Sequence, residues 1–241
     1  MTRTTILRRM VLLLVVCASV VGCSERRLVS VMGPSGSLRV IDATADLGDQ
    51  LERGELFLVG SRPDGAFGLT RHREQAAIRI TAGDWPFGIA REVDSLLVNT
   101  PYLEWSWAAQ RFSSDRLPVL ILAGLSRVDE DADPSDLTDD LIGLEMPPVN
   151  YLLVGYWARS AHGVPDVALD PSSPATGLIR VRDGEPDFGQ WHRDGMDLLH
   201  ATRELWPQAR TEGLHVRFVA VAVASSAEDD GALLSELSLH R

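Results

Sequence analysis

Four tryptophans, one cysteine and one acidic run carry the residue types whose spacing bears on chemistry in this chain. Trp105 and Trp107 lie two apart, so a strand would set both on one face with Leu103. Paired indoles can stack on the apolar face of a sugar ring. The same Leu103, Trp105, Trp107 and Ala109 stripe can equally fill a core, which is the commoner use of such a pattern. Trp157 and Trp191 stand near turn formers and are the better candidates for a ligand-binding surface. Asp129, Asp131, Asp133 and Asp140 match the first, third, fifth and twelfth positions of a calcium loop. Pro134 stands where that loop needs glycine, and Asp140 replaces its bidentate glutamate. A solvated acidic loop is therefore the plainer reading, and no cofactor is expected.

Nucleophilic catalysis has little to build on. There is no Gly-x-Ser-x-Gly elbow, and Gly33-Pro-Ser-Gly36 reads as a turn. His72, His162, His192, His200, His215 and His240 show no metal-ligand spacing. Carboxylates are plentiful, so a glycosidase pair depends on a separation that only the fold can set.

Cys23 closes a different pattern. Arg8 and Arg9 precede an apolar run from Val11 to Val21, and Val20-Val21-Gly22-Cys23 resembles a bacterial lipobox. The run is too short to span a bilayer, which takes ~20 residues, so it reads as a removed export signal. Cys23 would then be the lipidated first mature residue, holding the protein to a membrane through two or more acyl chains. Ser24 after the cysteine points to the outer membrane of the cell envelope. Cys17 leaves with the leader, so no thiol remains for a disulfide, and stability must come from an apolar core.

The net charge is −11, and −14 without the three leader arginines. Such a surface repels phosphate backbones and offers no polybasic stripe for anionic lipid, so nucleic acid is excluded as a partner. All 23 basic residues are arginine. A GC-rich genome accounts for that without a functional reading.

The elements that must position these residues are short. Gly, Pro and Asp clusters separate β-like segments at Leu38–Ile41, Leu56–Val59, Ala76–Ile80, Phe87–Arg91, Leu96–Val98 and Leu103–Ala108. Further segments follow at Val119–Leu125, Tyr151–Trp157, Leu178–Arg182, Val216–Ala224 and Leu233–Leu239. Many short strands at regular spacing predict an all-β sandwich or barrel. Val119–Leu125 and Phe218–Val223 are apolar on both faces and belong at its centre. Asp194–Pro207 breaks the pattern. Leu198, Leu199, Thr202, Leu205 and Trp206 recur at helical spacing, with Asp194 or Asp197 as cap and Pro207 as stop.

Three motifs carry a family resemblance: Pro101-Tyr-Leu-Glu-Trp-Ser-Trp107, Asn150-Tyr151, and Gly184 followed by Phe188-Gly-Gln-Trp191. Across roughly residues 55–241 the chain resembles the bacterial family known as domain of unknown function 3047. The resemblance implies a jelly-roll β-sandwich, galactose-binding-like, with one or two short helices, and it brings no established activity. Two stretches depart from the family pattern. Ser113-Ser-Asp-Arg-Leu-Pro118 replaces an Asp-Asp-Tyr…Arg approach to a central strand, and Ser225–Gly231 replaces an Asp-x-Asp turn. If those polar groups form a site in the family, this chain has lost or rebuilt it.

The expected organisation is a lipoprotein signal peptide at 1–22, a tether at 23–37 and one β-sandwich domain at 38–241. The expected function is non-catalytic ligand binding at the cell envelope, with a glycan as ligand by fold analogy. The alternatives are a polysaccharide hydrolase with paired carboxylates and a structural lipoprotein docking to an envelope partner through an exposed apolar patch.

Overall fold

The computed structural model describes residues 29–30, 35–61, 64–127, 146–160, 165–226 and 230–241. The first strands are β1 (Ser37–Asp42), β2 (Phe57–Gly60), β3 (Phe67–His72), β4 (Gln75–Thr81), β5 (Phe87–Leu96) and β6 (Tyr102–Arg111). There follow β7 (Val119–Arg127), β8 (Tyr151–Ala158), β9 (Val167–Asp170), β10 (Ser173–Asp183), β11 (His192–Asp197), β12 (Leu214–Val223) and β13 (Gly231–His240). Two short helices interrupt them, α1 (Leu47–Glu52) and α2 (Leu198–Leu205).

The strands form two sheets. One runs β11-β6-β13-β4-β3, with β1 on β13 beyond the end of β4. The other runs β2-β5-β12-β7-β8-β10-β9 and contains the parallel pair β8 and β10. They pack face to face as a jelly-roll β-sandwich, with Val40, Ile78, Trp105 and Leu237 of the first sheet against Phe87, Ile121, Leu153 and Val221 of the second. β12 and β7 lie inside the larger sheet, as their two-sided apolar sequences require.

Bulges keep the apolar residues inward. In β13, Ala232 and Leu234 face the core, so strict alternation would bring Glu236 in next. The register shifts between Leu234 and Glu236, which turns Glu236 outward and delivers Leu237 and Leu239 to the core. β12 does the same between Val216 and Phe218. There Phe218 lies over Gly124 of β7. A Cβ on Gly124 would sit 2.2 Å from the Phe218 ring, so only glycine fits beneath it.

The sequence expectations need several corrections. The stretch 194–207 is not one helix: its first residues are β11, and α2 begins at Leu198. Asp197 is the cap, its carboxylate accepting from the His200 amide at 2.8 Å, while Asp194 pairs across from Trp105. The strand period wins there because it sets Met196 into the core. Leu97–Asn99 turns as a 3-10 helix rather than continuing a strand. β3, β9, β11 and α1 had no counterpart in the sequence reading. They are short, and pairing with neighbours holds the strands. Ser30, within the expected tether, is pinned to β5: its amide donates to Glu92 O at 3.0 Å and its hydroxyl accepts from Arg91 Nε at 2.7 Å.

The two outer faces differ in kind. The smaller sheet turns Glu104, Ser106, Arg79 and Glu236 outward. The larger sheet carries a second apolar cluster on its outer side, including Leu122, Leu152, Val154, Phe218 and Ala220, all buried. No helix among the described residues is long and apolar enough to cross a membrane.

Candidate functional site

Three of the four tryptophans lie inside. Trp105 is 1% exposed, Trp107 0% and Trp157 2%. Each large aromatic buries ~150–250 Å², roughly 4–6 kcal/mol of gross hydrophobic stabilisation, so these rings serve the core. Trp105 and Trp107 meet edge-on at 5.6 Å, and Trp107 meets Trp157 at 5.9 Å. Trp157 was expected at a binding surface. The alternation of β8 sets it on the side of Tyr151 and Leu153, facing the opposite sheet, and its Nε1 donates to Gly184 O at 3.1 Å. Trp191 is half-buried on the other side, against Ala77, Ala108 and Leu233 on the outer face of the smaller sheet. The four indoles therefore form no single platform. Cys23 and the aspartates Asp129, Asp131, Asp133 and Asp140 lie outside the described residues. Among the described residues, no group of three His, Cys, Asp or Glu stands close enough to hold a metal ion.

A polar knot sits beside these rings where β10 and β11 bring the two sheets together. Asp194 accepts from Trp107 Nε1 at 2.7 Å and from Arg182 at 2.9 and 2.7 Å. The Arg182 guanidinium lies 5.5 Å from the Trp157 ring centre. His192 presents its edge to Trp157 at 5.0 Å, and its Nε2 is buried without a hydrogen-bond partner. Burial, and then the charge of Arg182, hold the His192 imidazole below its ordinary pKa, so the ring is neutral at pH 7. Asp194 ties Arg182 and Trp107 together, which gives the knot a positioning role.

The end of the sandwich where β4, β7 and β13 meet their loops is more open. Ala82 N donates to Asp230 O at 2.7 Å, and Ser226 N donates to Gly83 O at 3.1 Å, joining the 82–86 and 224–230 loops. Asp230 is 1% exposed. Its Oδ2 accepts from the Ser113 amide and hydroxyl at 3.2 and 3.1 Å and from Ser226 Oγ at 2.6 Å, while Oδ1 has no partner. The two stretches that depart from the family pattern thus fold onto one carboxylate. Trp85, 69% exposed, stands two residues past Gly83 in this loop set. Phe188, 50% exposed, lies 6.3 Å from Phe112 at the same end.

Beside these loops, a cavity of about 230 Å³ opens on the outer side of the larger sheet. Leu120, Val154 and Leu178 line its apolar part, and Ser114, Arg116, Ser225 and Ser226 supply polar groups. Sequence reasoning passed over Trp85, and it marked the stretches holding Arg116 and Asp230 only as departures from the family pattern. Gly83-Asp-Trp-Pro86 was a readable signal, because a tryptophan between turn formers has no strand to bury it. That Asp230 meets Ser113 had no local signal, since the two are 117 residues apart.

No family model matches the chain, and no curated protein sequence matches it. Solved structures of similar outline include the family 11 carbohydrate-binding module of Clostridium thermocellum in complex with a β-1,3-1,4-mixed-linked tetrasaccharide. It is 6% identical with a TM-score of 0.43, over 86% of this chain and 97% of that one. The endoglucanase cel12A from Rhodothermus marinus is 10% identical with a TM-score of 0.42, over 71% of this chain and 84% of that one. A family 30 carbohydrate-binding module of Clostridium thermocellum is 6% identical with a TM-score of 0.38, over 84% and 96% of the two chains. Likeness at this level assigns this chain neither a family nor a ligand.

Proposed function

We propose that the chain is a non-catalytic, lipid-anchored module of the cell envelope whose loop end binds a glycan. The observation that carries the reading is Trp85, 69% exposed on a loop bonded directly to a hydroxyl-bearing one. An exposed indole loses hydration readily and offers a flat apolar surface to the C–H face of a pyranose. Ser114, Ser225 and Ser226 supply neutral hydroxyl oxygens at the same end, able to accept from sugar hydroxyls. The charge of −11 disfavours polyanionic glycans, so the expected ligand is neutral. The Val20–Cys23 lipobox and Ser24 support attachment to the outer membrane. The motifs at 101–107, 150–151 and 184–191 support kinship with the domain of unknown function 3047 proteins.

Titration calorimetry against neutral and acidic envelope polysaccharides tests the reading. Saturable heat is expected with a neutral glycan, and Trp85→Ala should weaken it about tenfold or more, as truncation of an aromatic hot spot does. No heat from any polysaccharide, or unchanged affinity in Trp85→Ala, sinks it. Release of reducing ends during the titration would instead make the chain a hydrolase.

A further inference from the structure

We propose a second ligand site, for a short alkyl chain bearing a carboxylate, in the cavity beneath Arg116. A two-layer sandwich needs one apolar face per sheet. The larger sheet has two, and near the start of β7 the outer one is left unfilled. The cavity floor is Leu120, Val154 and Leu178, with Leu117 and Pro118 beside it. At about 230 Å³ it falls below the ~300–1,000 Å³ of pockets that take drug-sized molecules, so its occupant is small.

Arg116 lines this cavity. Its guanidinium lies 4.7 Å from the Tyr156 ring centre, and Tyr156 is itself a lining residue. The ring holds the cation in place by cation–π attraction. Arg39, Arg53, Arg180, Arg182 and Arg193 each pair with a carboxylate, whereas Arg116 has no ion-pair partner among the described residues. In a chain of net charge −11, an oriented and unpaired guanidinium at an apolar opening fits an anionic head group. Ser114 Oγ donates to Arg116 O and Ser226 Oγ to Asp230. Both hydroxyls have therefore committed their protons to the protein, and Arg116 is the charged donor at the cavity that reads the anion.

Ser114, Ser225 and Ser226 border both this cavity and the proposed glycan surface, but Trp85 is not among the cavity's lining residues, so Trp85→Ala and Arg116→Gln tell the two readings apart. Octanoate, octyl phosphate, octanol and acetate are titrated into the full chain carrying Cys23→Ala, a change that blocks acylation and keeps detergent out. Octanoate should bind with a stoichiometry of one, octyl phosphate more weakly, octanol about tenfold more weakly, and acetate undetectably. Arg116→Gln should bring octanoate down to the level of octanol and leave octanol unchanged. Leu178→Trp should abolish both by filling the cavity; the exposed Arg116→Gln decides the matter if that core change disturbs folding. Octanoate failing to saturate, octanol matching it, or Arg116→Gln leaving octanoate unchanged overturns the proposal. Octyl phosphate binding more tightly than octanoate overturns the carboxylate and makes a phosphorylated lipid the source. Loss of glycan binding in Trp85→Ala with octanoate unaffected is expected, so failure of either reading leaves the other standing.

Discussion

Asp194 shows how one side chain joins two sheets. It lies on β11 in the smaller sheet, yet two of its three hydrogen bonds go to Arg182 on β10 in the larger one. Its side chain is 8% exposed and that of Arg182 28%, so solvent screens the pair only in part. Removing Asp194 leaves Arg182 to water and Trp107 Nε1 without its acceptor. Asp194→Ala is expected to cost about 1–3 kcal/mol in chemical denaturation. A loss under about 1 kcal/mol would show that water replaces the carboxylate freely. Nothing comparable restrains Trp85, whose exposure makes it replaceable for folding and therefore informative for binding.

At the scale of elements, β11 holds a histidine whose pKa is lowered by its surroundings. His192 faces Trp157 from β8, Arg182 from β10 and Asp194 on its own strand, with Asp187 in the preceding loop. Its pKa is lower folded than unfolded, so the unfolded chain binds more protons in the window between the two. Stability from this group is full above the unfolded value of ~6.5 and is lost as pH falls toward the folded one. His192→Phe keeps a ring against Trp157 and should flatten the fall of melting temperature between pH 7 and 5. An unchanged slope would place the dependence elsewhere. The β3–β4 hairpin offers a second test. Arg73 and Glu74 turn it with φ of 49° and 68°, a left-handed conformation that Asn and Gly adopt with less strain. Arg73→Asn with Glu74→Gly should stabilise by about 1 kcal/mol, less what is lost with the Arg73–Gln190 hydrogen bond. Destabilisation would mean that this exposed bond outweighs the turn strain.

For the whole molecule, an acyl anchor on Cys23 would be tethered close to β5, because Ser30 is held there only seven residues later in the sequence. A lipidated Cys23 would therefore keep the sandwich near the membrane rather than on a long leash. Metabolic labelling with a radiolabelled fatty acid should mark the protein, and Cys23→Ala should abolish the label. An unlabelled unsubstituted chain would count against lipidation. A net charge of −11 finds no attraction in an anionic leaflet, so attachment to a membrane would rest on acyl chains alone.

Alternation and turn formers by themselves determined the sandwich class, the central places of β7 and β12, and the positions of most strands. These are local properties: a period of two and a Gly-Pro-Asp boundary can be read within a few residues. Tertiary structure alone decided which way the tryptophans face. Trp157 could have pointed to either side of β8 until the opposing sheet claimed one of them. It also decided that Ser113, Ser226 and Asp230 share one contact, and that Arg116 stands over an unfilled hollow. Such placements join residues more than a hundred apart, and they depend on bulges and packing summed over both sheets rather than on any short stretch of chain.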